Sequence, residues 1–390
     1  MIIEPKIRGF ICTTAHPQGC AANVKSQIDY VLSQGAIKGP KNVLVIGAST
    51  GYGLASRIVC AFGSQANTLG ISYEKEPSEK KTASPGWYNT RAFEKYAQAR
   101  GLYAESLNGD AFSQSLKDET LALIKKNMGK IDLVIYSLAS PRRIHPVTGE
   151  VFNSTLNPIG KAYTAKTVEP FKGEVKEITI TPATDEDIKQ TVAVMGGEDW
   201  ALWIQDLLDA QVLAPQFKTI AYSYVGPSMT HAIYKDGTIG RAKAHLHETA
   251  NLLNTMLKSV QGTAVIAMNK AIVTQASAAI PVVPLYISLL YKVMKTQGTH
   301  EGAIEQMVRL FRDKLTPNKI DSDEHGFIRM DDWELSPDIQ QSVRELWSSV
   351  NTDNLGTVSD IAGYREEFEK LFGFCMPGIN YSQDVSPLDV

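Results

Sequence analysis

Two groups of residues in the 390-residue sequence carry side chains that could do chemistry together. The first is Tyr234-x8-Lys243. A tyrosine hydroxyl can hydrogen-bond to a carbonyl oxygen as negative charge develops there, and a nearby ammonium stabilises the phenolate and lowers the tyrosine pKa. The spacing decides where such a pair can sit. Nine residues on one helix rotate by about 900° and rise by about 13.5 Å, so the two side chains would leave opposite faces. Lys235-Asp-Gly237 is a turn signal, which places Tyr234 ahead of a helix that carries Lys243 in its early turns, with the loop folding Tyr234 back toward the lysine. Tyr224, in Ala221-Tyr-Ser-Tyr-Val-Gly-Pro227, is a second candidate hydrogen-bonder to the same oxygen.

The second group is Val43-Leu-Val-Ile-Gly-Ala-Ser-Thr-Gly-Tyr-Gly53, a buried strand running into a glycine-rich turn and a helix. Gly47 can take the tight turn, Gly51 lets backbone approach a pyrophosphate, and Gly53 lets the helix lie close to the sheet with its N–H groups facing the anion. Strand, loop and helix together point to dinucleotide binding more strongly than the glycines alone. The next strand ends at Ile71-Ser-Tyr73, followed by Glu74 at the distance typical of a carboxylate that accepts hydrogen bonds from the adenosine ribose and repels a 2′-phosphate. That favours NADH over NADPH, and the competing reading of Glu74 is a solvated loop carboxylate beside Lys75. Asp110 and Ala111 after the third strand border the adenine on one reading, and on another Asp110 helps to start the next helix. Val134-Ile-Tyr-Ser-Leu-Ala-Ser140 ends the fourth strand with small residues, which suit close approach to a ribose and nicotinamide or close packing alone.

The elements that must position these groups alternate. Strands at Val43 to Ile46, Leu69 to Tyr73, Tyr103 to Leu107 and Ile131 to Tyr136 are separated by helical stretches, and the alternation resumes with strands at Phe217 to Tyr222 and Ala264 to Met268. Short β-rich apolar runs between helices predict an α/β, Rossmann-type, doubly wound parallel sheet in a single domain. Residues 1–40, with a β-prone piece at Ile7 to Thr13, a turn at His16 to Gly19 and an amphipathic stretch through Val24, Ile28, Val31 and Leu32, read as an N-terminal cover. Residues 140–187 interrupt the rhythm as an insertion near the active edge, with a hairpin whose clearest strand is Glu174 to Pro182. Residues 271–390 are mainly helical in pattern.

Composition narrows the function. Hydrophobic residues at 43% and charged residues at 21% give no case for extensive disorder, and a net charge of -3 lacks the basic excess that favours nucleic acid. The longest apolar stretch, Ala278 to Tyr291, is broken by Pro281 and Pro284 and is too short to span a bilayer, and four cysteines fit a reducing compartment. The expectation is a cytoplasmic protein with no nucleic-acid partner, no membrane span and no metal. Three patterns resemble metal sites only in part. Cys12-x3-His16-x3-Cys20 supplies three ligands in a turn and lacks a nearby fourth. Asp321 to Asp332 has calcium-loop spacing with unsuitable residues at three positions, and His245-x-His247 diverges on a helix.

The motifs also carry a resemblance. His16-Pro-Gln-Gly-Cys20, Gly47-Ala-Ser-Thr-Gly-Tyr-Gly53, Pro85-Gly-Trp-Tyr-Asn89, Tyr136-Ser-Leu-Ala-Ser-Pro141, Val194-Met-Gly-Gly-Glu-Asp-Trp200, Tyr234-x8-Lys243, Asp331-Asp-Trp-Glu334 and Gly378-Ile-Asn-Tyr381 span nearly the whole chain. Together they resemble the FabV-type enoyl-acyl-carrier-protein reductases and the closely similar trans-2-enoyl-CoA reductases. The resemblance implies NADH-dependent reduction of the carbon-carbon double bond of a 2-enoyl thioester, on acyl carrier protein or CoA, by a monomer. It implies Tyr234 and Lys243 as catalytic, Tyr224 at the substrate carbonyl, and cofactor contacts at Gly47, Ala48, Ser49, Thr50, Gly51, Tyr52, Tyr73, Glu74, Asp110, Ala111, Leu138, Ala139, Lys243, Ile272, Val273 and Thr274. Val273 to Tyr286 resembles the family's substrate-binding helix, although a buried, kinked core helix explains the same composition. The rival readings are a short-chain alcohol or sugar dehydrogenase and a non-catalytic dinucleotide sensor.

Overall fold

The computed structural model describes residues 1–389. Seven parallel strands form the central sheet: β1 (Asn42–Ile46), β2 (Asn67–Ser72), β3 (Ala104–Asn108), β4 (Ile131–Tyr136), β5 (Leu213–Ser223), β6 (Thr263–Met268) and β7 (Phe327–Arg329), in spatial order β7-β6-β5-β4-β1-β2-β3. The order reverses beside β1, which opens a crevice at the carboxyl ends of β1 and β4.

Strand β1 shows why the sequence reads as a continuous apolar run. Val43 and Val45 pack into one buried cluster with the helix Gly51–Ile58 and the helix Pro17–Ser33, while Leu44 and Ile46 pack into another with Trp200, Trp203 and Leu253. Alternate side chains serve opposite faces, and both faces are covered by helices. A third cluster forms around the helix Val283–Thr296, and it contains Tyr234.

The six longer strands lie where the alternation puts them. Four local expectations need correction. His16 to Gly19 is no free turn, because Pro17 opens the helix Pro17–Ser33 and His16 Nδ1 accepts from Gly19 N at 3.2 Å as its cap; proline is tolerated at a first helical position because its missing N–H is not needed there. The β-prone piece at Ile7 to Thr13 is a hairpin, Ile7 pairing with Cys12 about Gly9, whose φ is 61°. A helix at Asp185–Met195, started by a Thr184/Asp187 capping box, closes the insertion. The mainly helical C-terminal region also holds β7, three residues that pair with β6.

The insertion carries two hairpins, Arg142–Ile144 with Val151–Asn153 and Tyr163–Glu169 with Glu174–Ile180. It reaches the Tyr234 loop directly: Thr238 N donates to Asn157 O at 2.9 Å, and Tyr163 OH donates to Met229 O at 2.7 Å. Among the described residues no helix is long and apolar enough to cross a membrane.

Candidate active site

The glycine loop is built for close approach. Gly47 has a φ of 86°, and a Cβ there would lie 2.4 Å from Ser137 O. A Cβ on Gly53 would lie 1.8 Å from Gly47 O, so only glycine lets the helix start against the loop. A cleft of about 710 Å³ opens above it, lined by Gly47, Ser49, Thr50, Tyr73, Glu74, Asp110, Ala111, Leu138 and Ala139 among the expected cofactor residues. The N-terminal hairpin supplies another wall through Phe10 to Thr14. A backbone cradle at a helix start, next to a fixed carboxylate, suits a dinucleotide.

That carboxylate is Glu74. Its Oε1 accepts from Ser49 Oγ at 2.6 Å, its Oε2 accepts from Ser84 Oγ, and its backbone N–H donates to Asn108 Oδ1 at 2.7 Å. The solvated-loop reading therefore fails, because the side chain is held against the cleft. Asp110 lines the cleft and accepts from Phe112 N at 3.0 Å, while the cap of the next helix is Ser113, whose side chain accepts from Leu116 N. The remaining cofactor candidates on the loop and beyond β6, Ala48, Gly51, Tyr52 and Ile272 to Thr274, are not part of that lining. Tyr52 OH donates to Lys270 O, and Thr274 Oγ1 caps the short helix Gln275–Ala278 by accepting from Ser277 N.

Tyr234 ends the short helix His231–Tyr234, and Lys243 lies in the first turns of the separate helix Thr238–Met256, as the turn signal predicts. The break is tight: a Cβ on Gly237 would meet Ile233 O at 2.5 Å, and one on Gly240 would meet Lys235 O at 1.9 Å. Tyr234 stacks edge-on against Tyr224, with ring centroids 4.6 Å apart. Among the described residues nothing hydrogen-bonds to the Tyr234 hydroxyl.

Lys243 directs its ammonium at the end of β5. Its Nζ is turned to Tyr222 O, 3.4 Å away, and burial pulls its pKa down to about 8. Tyr234 is pushed well above the ordinary phenol range, first by burial, then by the negative charge of Glu334 and by Tyr364. The resting site thus holds Tyr234 as a neutral phenol, a proton donor.

Glu334 closes the Asp331-Asp-Trp-Glu334 motif, whose spacing alone assigns it no role. It is fully buried; Oε1 accepts from Tyr286 OH at 2.6 Å and Tyr224 OH at 3.0 Å, and Oε2 accepts from Ala271 N at 2.7 Å. Burial raises its pKa, opposed by the charge of Lys270 and by these donors. Lys270 is itself buried, donates to Ala271 O at 3.0 Å, and is pulled down to about 8 by burial. The overlooked strand β7 is what delivers Glu334: Met330 N and Asp331 N both donate to Met268 O at the end of β6. The only signal in the sequence was Asp331-Asp-Trp-Glu334.

The metal-like patterns resolve into other partners. Cys12 Sγ turns to Thr14 O, His245 Nδ1 accepts from Gly197 N, and His247 packs on Phe327 with centroids 4.5 Å apart.

Three family models match the chain. Residues 2–79 match the NAD(P)H binding domain of trans-2-enoyl-CoA reductase, residues 81–316 its catalytic region, and residues 322–385 an enoyl reductase FAD binding domain. The last segment does not fit a flavin dinucleotide: it is the edge strand β7 followed by helices whose Ile339, Val343 and Phe368 pack into the core, with no strand, glycine loop and helix cradle among its described residues. No flavin enters the chemistry below. An enoyl-[acyl-carrier-protein] reductase [NADH] of Coxiella burnetii is 59% identical over 389 residues, covering 99% of this chain and 96% of the relative. A trans-2-enoyl-CoA reductase [NADH] of Ruminiclostridium cellulolyticum is 56% identical over 385 residues, covering 99% and 98%. The crystal structure of Treponema denticola trans-2-enoyl-CoA reductase in complex with NAD superposes with a TM-score of 0.96 at 48% identity, covering 99% of this chain and 98% of that one. With its parallel sheet, glycine cradle and tyrosine pair, the chain belongs to the trans-2-enoyl-CoA reductase family.

Proposed function

We propose that this enzyme uses NADH to reduce the C2=C3 double bond of trans-2-enoyl thioesters, carried on acyl carrier protein or CoA, to saturated acyl thioesters in fatty-acid synthesis. The observation that carries the reading is a buried Tyr234 stacked on Tyr224 in the same fold that carries the glycine cradle and its cleft.

Gly47 through Tyr52 would hold the pyrophosphate, Glu74 with Tyr73 the adenosine ribose, Asp110 and Ala111 the adenine side, and Leu138, Ala139, Lys243 and Ile272 through Thr274 the nicotinamide half. NADH, when bound, supplies the hydride that goes to the β-carbon of the substrate. Negative charge then collects on the thioester oxygen, where the Tyr234 hydroxyl stabilises it by donating a hydrogen bond, with Tyr224 beside it, and the proton that Tyr234 provides ends on the α-carbon as the C=O bond re-forms, giving the saturated thioester. The apolar residues from Val273 to Tyr286 would take the acyl chain. The working protein on this reading is a cytoplasmic monomer.

Mixing the protein, NADH and crotonyl-CoA should consume NADH absorbance, and Tyr234→Phe should lower kcat by about 10² to 10⁴ fold with NADH affinity intact. NADH left unoxidised with every enoyl thioester overturns the reading in favour of a silent dinucleotide sensor. Turnover of alcohols or sugars instead would favour a dehydrogenase. Comparing kcat/KM for carrier-protein and CoA substrates assigns the carrier.

A further inference from the structure

One carboxylate touches both halves of the site. Glu334 Oε1 takes the hydroxyls of Tyr224 and Tyr286, while Oε2 takes the backbone N–H of Ala271, one residue before the Ile272 to Thr274 segment assigned above to the cofactor.

The direction of each hydrogen bond follows from the chemistry of the groups. A backbone N–H can only donate, so Oε2 must accept. Tyr286 oxygen receives Gln340 Nε2 at 3.1 Å, which leaves its own proton for Oε1. Gln340 Nε2 also donates to Glu334 O at 2.7 Å, so the backbone and side chain of Glu334 are fixed from one neighbour. With Lys270 supplying the nearest buried positive charge, the ionised carboxylate accepts from Tyr224 as well. The single proton of Tyr224 is then committed to Glu334, and its oxygen offers only lone pairs to anything else.

We propose that Glu334 is a positioning residue that divides the labour of the two tyrosines: by holding the Tyr224 proton it leaves Tyr234 as the sole hydroxyl donor to the substrate, and it ties that arrangement to the cofactor-side segment at Ala271. The proposal rests on the enoyl reductase reading above.

Glu334→Gln separates charge from shape. The amide oxygen must face Ala271 N–H, because that donor cannot reverse, so the amide NH2 faces the two tyrosines and turns the Tyr224 proton into the site. The expected result is a 10- to 100-fold fall in kcat with crotonyl-CoA while the NADH dissociation constant, read by fluorescence titration, stays within 3-fold. Tyr224→Phe has no proton to turn into the site, so adding Glu334→Gln to it should change kcat by less than 3-fold, since both act through one hydroxyl. Wild-type kcat in Glu334→Gln, or its full loss repeated in the Tyr224→Phe background, overturns the proposal. If Glu334→Gln does not fold, Tyr224→Phe alone decides: a fall in kcat as large as that of Tyr234→Phe would mean that Tyr224 donates to the substrate, which overturns the proposal. A wild-type enzyme that reduces no enoyl thioester overturns the underlying reading and the proposal with it.

Discussion

The two ends of the site are made in different ways. At the glycine loop the working atoms are backbone, contributed by residues within one strand, turn and helix. At the tyrosine end they are side chains from Tyr224, Tyr234, Tyr286 and Glu334, gathered from the residue after β5, a short helix, a long helix and the turn after β7. A backbone site is written in local spacing, whereas a side-chain site depends on which distant segments meet. The contrast predicts that the first should be broken by adding one methyl group and the second by changing one charge.

The largest effect belongs to the loop. Gly53→Ala puts a carbon within 1.8 Å of Gly47 O, and since both are backbone the loop must move. NADH affinity should fall by about 100-fold, roughly 2.7 kcal/mol, within the range that overpacking costs. Gly356→Ala is the control, because a Cβ there meets nothing within 4 Å. If Gly53→Ala binds NADH within 3-fold of wild type in a fluorescence titration, the close approach is not what makes the cradle.

The same contrast explains what could be read from sequence. Strands β1, β2, β4, β5 and β6 were legible because each contains a buried apolar run between helices, the part-buried Ala104-Glu-Ser-Leu-Asn108 of β3 followed from the alternation alone, and Tyr234 and Lys243 could be assigned to different helices because Lys235-Asp-Gly237 cannot continue one. Strand β7 was not, since Phe327–Arg329 is three residues long and lies inside a stretch whose acidic spacing imitates a calcium loop. Without β7, nothing in the chain places Glu334 beside Ala271. The direction of the Lys243 ammonium was hidden for a related reason: spacing specified the backbone break, but the ammonium is turned to Tyr222 O, which no local pattern reveals.

Lys243 offers a smaller test. Its amine, drawn to about 8 in the folded protein by burial, returns to the ordinary lysine value near 10.4 when unfolded. Between those values the unfolded chain binds more protons, so this group makes stability rise with pH from about 8 to about 10; below about 8 the cost of holding a buried charge is present in full. Lys243→Met should therefore raise the melting temperature at pH 7 by about 1 to 3 °C, with the gain shrinking toward pH 10. Its NADH affinity should drop, and unlike that of the wild type should not weaken further as pH rises through 8. A melting temperature lowered at pH 7 would show that the ammonium is better compensated than the single contact at 3.4 Å to Tyr222 O implies.

The smallest effect tests spacing where it imitates a side-chain site. Asp321 to Asp332 places carboxylates at calcium-like intervals, yet the folded chain spends them on its own cations. Asp321 pairs with Lys314 at 2.8 Å, Asp331 with Arg329 at 2.8 Å, and Asp332 with Arg309 at 2.9 Å. Asp323 Oδ1 accepts from the backbone N–H groups of His325 and Phe327, closing the turn into β7. A calcium ion would have to displace two arginines and a lysine, leaving their charges beside its own. Millimolar calcium or a chelator should therefore shift the melting temperature by less than about 1 °C, well under the shift that occupation at 100 times the dissociation constant would give. A larger calcium-dependent rise would mean that Arg329 and Lys314 yield their partners readily, and that this stretch, like the glycine loop, follows its local spacing after all.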